Sequence, residues 1–261
     1  MDGLTASGVV VRFGGLVALD SVGVTVLPGR ITGLIGPNGA GKTTLFNVIC
    51  GFQRPDAGTV MLGGIDITGA RPDRRARLGL GRTFQRMEMF GSLTVRQNVA
   101  LAAESVHIAD DPLSQLGLVG GGRRRRAGIA ELTEELLELT GLTPVADESA
   151  GEISTGQGRL VELARALARE PRILLLDEPS SGLDAAESAA FGRLLVHIVA
   201  QRGVGILMIE HDMSLVLTIC DPIHVLDFGR ELMTGSPAEV RSSDLVRRAY
   251  LGEADAELLQ G

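Results

Sequence analysis

The amino-acid sequence predicts an α/β fold with a mostly parallel sheet, to which an antiparallel β part and a helical part are attached. Three observations predict it. Short continuous apolar runs, "ITGLIG", "RILLLDEP" and "VGILMIEHD", end in a glycine, an acid or an imidazole, as strands buried on both faces with chemistry at their C-terminal ends should. The first thirty residues alternate apolar and polar with the period of a half-buried strand, and about 58–68 also reads as strand. From about 86 to 153 the period becomes helical.

The 261 residues are enough for one large domain with a substantial core. The expected organisation is a single domain, 1–261, in which 1–30 and about 58–68 form an antiparallel β subdomain and about 86–153 a helical one. A formal charge of −7 argues against a nucleic-acid partner, because neutralising phosphates needs a basic face. No apolar run approaches the roughly 18 residues of a membrane span, and the start lacks a secretory pattern, so a cytoplasmic protein is expected. Cys50 and Cys220 stand far apart without metal-ligand spacing and read as buried thiols.

The elements follow in order. "VVVRF" pairs with "SVGVTVLPG", where Val22, Val24 and Val26 share a face and Pro28-Gly29 ends the strand. "ITGLIG" leads through a glycine-rich loop into a helix with Leu45, Val48 and Ile49 on its apolar side. "GTVMLGGIDI" is a hairpin turning at Gly63-Gly64. Thr94 and Gln97 have capping-box spacing and open a helix through "VRQNVALAA". Ile129, Leu132, Leu136 and Leu139 mark another helix, stopped by Gly141. Before it, Arg123–Arg126 read either as a basic patch for anionic headgroups or as a solvated loop. Leu160, Leu163, Ala164 and Leu167 predict a helix from about Gln157. Ser236, Pro237 and Glu239 start a further one.

The loop "GPNGAGKTT", Gly36, Pro37, Asn38, Gly39, Ala40, Gly41, Lys42, Thr43 and Thr44, satisfies G-x-x-x-x-G-K-[ST] between a strand and a helix. Its backbone N–H groups and the helix N-terminus make a phosphate site. Lys42 is the only lysine in the chain. A compact ammonium fits a tight ring of amides where a planar guanidinium does not. Thr43 offers its hydroxyl to Mg²⁺. The motif predicts nucleotide binding and is equally at home in kinases, GTPases and helicases.

Asp177 ends a buried run, where a carboxylate reaches the metal shell, and Glu178 beside it is placed to act as general base on water. Ser154, Thr155, Gly156 and Gln157 stand at the start of another helix and form a second anion site. One nucleotide cannot occupy two such distant sites unless the second belongs to a neighbouring copy.

In the order and approximate spacing of these motifs, with Gln85 in "RTFQ", "SSGLD" at Ser180–Asp184 and His211 in "IEHD", the chain resembles the ATP-binding subunits of ABC transporters over nearly its whole length. The resemblance implies that two such domains sandwich two ATP molecules head to tail. Ser154 and Gly156 of one subunit would then touch the γ-phosphate held by Lys42 of the other. It also implies that Gln85 contacts Mg²⁺ or the attacking water, that His211 contacts the γ-phosphate, and that Phe13 stacks on adenine; Phe13 otherwise reads as core. The signature departs from the family's L-S-G-G-Q, with Thr155 where glycine is usual. "VRFGGLVALDSV", "GLGRTFQ" and "AYLGE", with Tyr250, narrow the resemblance to ATPase subunits of branched-chain amino acid importers.

The expected function is therefore an ATP-hydrolysing subunit, with ATP and Mg²⁺, that energises import of branched-chain or related amino acids. Its expected partners are a second ATP-binding subunit, transmembrane permease subunits and, indirectly, a solute-binding protein, which would hold it on the inner face of the membrane. The alternatives are related systems for urea, amides or lipopolysaccharide, and a non-transport ABC ATPase. A regulatory module that only holds ATP fits less well, having no need of Glu178. Met87, Met89 and Phe90 are candidates either for a permease-docking groove or for subdomain packing.

Overall fold

The computed structural model describes residues 3–83, 89–110 and 122–256, with the backbone alone at 105–110, 122–126 and 251–256. β1 (Leu4–Phe13) and β2 (Leu16–Val26) pair as an antiparallel hairpin. Val22, Val24 and Val26 are all buried, so the alternation sets which face is inside. β3 (Ile31–Ile35) and α1 (Lys42–Cys50) flank the glycine-rich loop, and Leu45, Val48 and Ile49 of α1 are buried. β4 (Ala57–Leu62) and β5 (Ile65–Asp66) turn at Gly63-Gly64 and complete a four-stranded antiparallel sheet in the order β2-β1-β4-β5.

Next come α2 (Pro72–Arg77), β6 (Leu80–Arg82), α3 (Val95–Asp110), α4 (Gly122–Leu139) and a short 3₁₀ turn at Thr143–Val145. They are followed by α5 (Thr155–Leu167), β7 (Ile173–Asp177), α6 (Ala185–Arg202), β8 (Gly205–Ile209) and α7 (Met213–Ile219). β9 (Ile223–Asp227), β10 (Arg230–Gly235), α8 (Pro237–Ser242) and α9 (Asp244–Ala256) complete the described chain. The second sheet has the order β10-β9-β3-β8-β7-β6, parallel from β9 to β6 with β10 antiparallel at the edge.

The continuous apolar runs follow from two cores. Leu174 and Leu176 of β7, with Ile206 and Met208 of β8, face the core shared with α3, α4 and α5. Ile173, Leu175, Leu207 and Ile209 face the opposite core, shared with α1 and the antiparallel sheet. With both faces covered, no position in these strands is left for a solvated side chain.

Thr94 and Gln97 cap α3 reciprocally, at 2.9 and 3.1 Å. Gly141, at φ +69°, ends the α4 region. Ser236 and Glu239 cap α8. The structure corrects two local expectations. α5 starts at Thr155 rather than near Gln157, because Ser154 is its N-cap and Gln157 the third residue of a capping box. Arg123–Arg126 lie in the first turns of α4, so the loop reading fails there.

α2 and β6 have no periodic apolar signal, and one buried arginine explains much of that. Arg75 is 2% exposed. Its guanidinium donates to Val48 O at 2.7 Å, Ile49 O at 2.6 Å, Ala70 O at 2.9 Å and Thr68 O at 2.9 Å. It satisfies carbonyls at the C-terminal end of α1, which a helix otherwise leaves open. A cation thus fills a position where a sequence reading looks for an aliphatic residue.

Candidate active site

The glycine-rich loop runs from the end of β3, in the middle of the parallel sheet, into α1. Gly36 has φ +149°, and a Cβ there would stand 2.1 Å from Leu226 O. Gly41, at φ +101°, precedes α1, and a Cβ there would meet Leu19 Cδ2 at 2.7 Å and Ala18 O at 2.8 Å. Both positions need glycine on conformation and on space. Lys42 Nζ donates to Gly36 O at 2.6 Å and Pro37 O at 2.9 Å, so the ammonium folds back over the loop. Burial pulls its pKa below the ordinary lysine value, against the opposing pull of the Glu178 and Asp177 carboxylates.

Asp177 ends β7 and Ile209 ends the neighbouring β8, in register with it. Glu178 follows with φ +49°, held by its N–H donating to Ile209 O at 2.9 Å. A non-glycine residue in this region carries local strain. It turns the Glu178 carboxylate toward His211, whose Nε2 lies 3.0 Å from Glu178 Oε1. Buried Glu210 fixes the surroundings, accepting from Ser180 N–H at 2.8 Å and His211 N–H at 3.0 Å. One carboxylate therefore ties the residues after β8 to the loop after Glu178.

Asp177 is 3% exposed and its Oδ2 receives Arg82 Nη2 at 3.1 Å. Its Oδ1 is buried without a hydrogen-bond partner among the described residues. Burial raises its pKa, while Arg82 draws it down. An orphaned carboxylate oxygen beside the lysine of a phosphate loop is suited to a hard divalent cation, which takes oxygen ligands. Thr43, next to Lys42 in the chain, lines the cleft that Glu178 also lines, with an exposed side chain. Thr43 and Asp177 thus fit Mg²⁺.

Phe13, Asn38, Gly39, Ala40, Gly41, Lys42, Thr43, Thr44, Glu178 and His211 line one cleft of about 530 Å³. Phe13 is not core: it is 51% exposed at the end of β1 and faces this space. Gly36 and Pro37 stand behind it as the carbonyl partners of Lys42. Ser154, Gly156 and Gln157 line a different cavity, of about 480 Å³, between α5 and α6. The chain brings its phosphate loop, acids and histidine together and leaves its signature segment on another surface.

Thr155 is exposed, and its Cγ2 lies over Gly182, where an added Cβ would stand 3.2 Å from it. Arg159 of α5 donates to Ser181 O from Nε and Nη2, both at 3.3 Å, and to Glu162 Oε2 at 3.1 Å. The signature helix is thereby attached to the loop that leads from Glu178. Gln85 and Met87 lie outside the described residues. Met89 is half-buried against the helical core, and Phe90 is half-exposed with the Arg165 guanidinium 5.6 Å over its ring.

Sequence reasoning missed Phe228, which lines the cleft 89% exposed on the turn between β9 and β10. The sequence offers only an aromatic next to Gly229, and the structure places it at φ +42°. It also missed Arg82, which joins Asp177 to Asn47 of α1. That link has no sequence signal, because its partners are far apart in the chain.

A profile described as ABC transporter matches residues 19–181. A second, described as branched-chain amino acid ATP-binding cassette transporter, matches 230–256. The BraF protein of Pseudomonas aeruginosa, named a high-affinity branched-chain amino acid transport ATP-binding protein, is 40% identical over 96% of this chain and 98% of its own length. The LptB lipopolysaccharide export ATP-binding protein of Acidithiobacillus ferridurans is 38% identical over 91% of each chain. The crystal structure of the ADP conformation of MJ1267, an ATP-binding cassette of an ABC transporter, superposes with a TM-score of 0.81 at 33% identity, covering 97% of this chain and 100% of that one. A family profile spanning most of the chain and relatives matched end to end agree with the geometry of the cleft: the chain belongs to the ABC transporter family, as an ATP-binding subunit similar to those of branched-chain amino acid transport.

Proposed function

We propose that the chain hydrolyses ATP in a composite site shared with a second ATP-binding subunit, and that this cycle drives permease subunits importing branched-chain or related amino acids. The observation that carries the composite site is the separation of the two anion-binding surfaces: Lys42, Glu178 and His211 line one cleft, while Ser154, Gly156 and Gln157 line another. A head-to-tail partner brings its Ser154 and Gly156 to the phosphates held by this chain's Lys42.

Thr43 and Asp177, joined by Gln85, would hold Mg²⁺, which supplies charge neutralisation to the phosphates. The residues Gly36 to Thr44 bind the phosphate chain through backbone amides, and Phe13 stacks on adenine. Lys42 leaves its two carbonyl partners and meets the negative charge of the terminal phosphates. Glu178 takes a proton from a water as the water oxygen bonds to the γ-phosphorus and the bond to the ADP oxygen breaks. His211 holds the γ-phosphate and the Glu178 carboxylate in one geometry. Electrostatic stabilisation by Lys42 and the loop amides supplies the larger part of the rate.

No helix among the described residues is long and apolar enough to cross a membrane. The chain is read as peripheral, held at the inner face of the membrane by its permease subunits, with 86–153 as the helical subdomain facing them. The amino-acid reading rests on the likeness to BraF and on the match at 230–256. Uptake of labelled leucine, isoleucine and valine by cells with and without the gene tests it. Loss of uptake that a Glu178→Gln copy does not restore is the expected result; unchanged uptake of all three overturns the solute assignment.

A further inference from the structure

The chain contains one tyrosine and no tryptophan, and that tyrosine reaches the phosphate loop. Tyr250 lies on α9, 214 residues from Gly36, and its hydroxyl oxygen accepts the Gly36 N–H at 2.7 Å. The ring is half-buried against the core that backs the parallel sheet. Burial pushes the phenol above its ordinary pKa, so it stays a neutral hydroxyl.

Gly36 is gripped from both sides. Its N–H donates to the Tyr250 hydroxyl oxygen, and its C=O accepts from the Lys42 ammonium at 2.6 Å. The φ of +149° and the Leu226 carbonyl, 2.1 Å from where a Cβ would stand, leave the residue no side chain with which to anchor itself. Its position therefore depends on its two hydrogen bonds and on β3. Were Lys42 to turn to a bound phosphate, its bond to Gly36 O would be given up, and the Tyr250 bond would be left to hold the residue. A buried backbone N–H without a partner is costly, so the hydroxyl favours the one loop conformation that presents the amides to phosphate.

We propose that Tyr250 is a positioning residue for nucleotide binding, through which the C-terminal helix holds the entrance of the phosphate loop and senses its occupancy. This inference rests on the reading that the cleft binds ATP. Tyr250→Phe keeps the ring and its packing and removes only the acceptor. The expected result is an ATP dissociation constant raised about fivefold, with KM rising in parallel and kcat changing less. A purely structural role would lower the melting temperature and leave the affinity where it was.

The test is calorimetric titration of Mg·ATP into the full chain and into Tyr250→Phe, with the tyrosine emission of the parent followed in the same titration. All tyrosine emission comes from residue 250, so a change that saturates at the calorimetric affinity reports the contact directly. A weakened Tyr250→Phe supports the proposal; equal affinities overturn it. Should the variant not fold, the parent decides, and emission unchanged through saturation overturns the proposal. A parent that takes up no nucleotide overturns the ATP-binding reading itself, and the proposal with it.

Discussion

The carboxylate of Glu178 and the imidazole of His211 meet at 3.0 Å at the ends of two adjacent parallel strands, with Glu178 in a left-handed backbone conformation. The contact follows from the β7–β8 register, the Glu178 N–H on Ile209 O and the Glu210 bonds to both flanking loops. Removing the imidazole takes away the hydrogen-bond partner that holds the Glu178 carboxylate. His211→Ala should lower kcat for ATP hydrolysis about a hundredfold while ATP binding changes little, as steady-state kinetics and calorimetry would show.

Phe13 stands half-exposed in the cleft that the phosphate loop also lines. An exposed aromatic that stacks on a purine contributes about 1 kcal/mol. Phe13→Ala should raise the Kd for ATP about fivefold, and Phe13→Tyr should leave it near the parent value. A core role would show instead as a loss of thermal stability with unchanged affinity.

Arg75 makes four side-chain bonds to carbonyls of α1 and of the segment before α2. Arg75→Leu leaves those carbonyls facing an apolar side chain. The folded state should lose about 3 kcal/mol, read as a lower urea midpoint with an unchanged slope.

His224 is 9% exposed on its side chain. Its Nδ1 lies 2.8 Å from Thr234 Oγ1 and 3.3 Å from Glu231 Oε2. Burial lowers its pKa, partly offset by Glu231. The sign is that of a group neutral when folded: as pH falls through about 6.5, the unfolded chain takes up the proton first. The stability contribution is therefore full above that value and is lost as pH falls toward the folded pKa, at up to about 1.4 kcal/mol per pH unit. Urea midpoints between neutrality and mild acid should fall, and His224→Gln should flatten that decline.

The phosphate loop, the strand-end acids and the helix caps were legible because local chemistry dictates them. A ring of amides requires glycines, and a capping box requires its two side chains three residues apart. Glu178, Lys42 and His211 stood in the sequence at the positions the cleft brings together. What was not legible depends on distant partners. Arg82 meets Asp177 across 95 positions, and Tyr250 meets Gly36 across 214. α2 was hidden because its buried residue is Arg75, and Phe228 because an exposed aromatic on a turn has no periodicity. The reading of Arg123–Arg126 as a loop failed because a run of glycine and arginine masks the start of α4.

Glu178 is proposed as the base of a composite site completed by a second subunit. The most direct test is Mg²⁺-dependent ATP hydrolysis by the parent chain and by Glu178→Gln, with the mass of each in solution followed with and without ATP. Hydrolysis by the parent, with an inactive variant that binds ATP and is trapped as a dimer, is the predicted result. An unchanged hydrolysis rate in Glu178→Gln would contradict it.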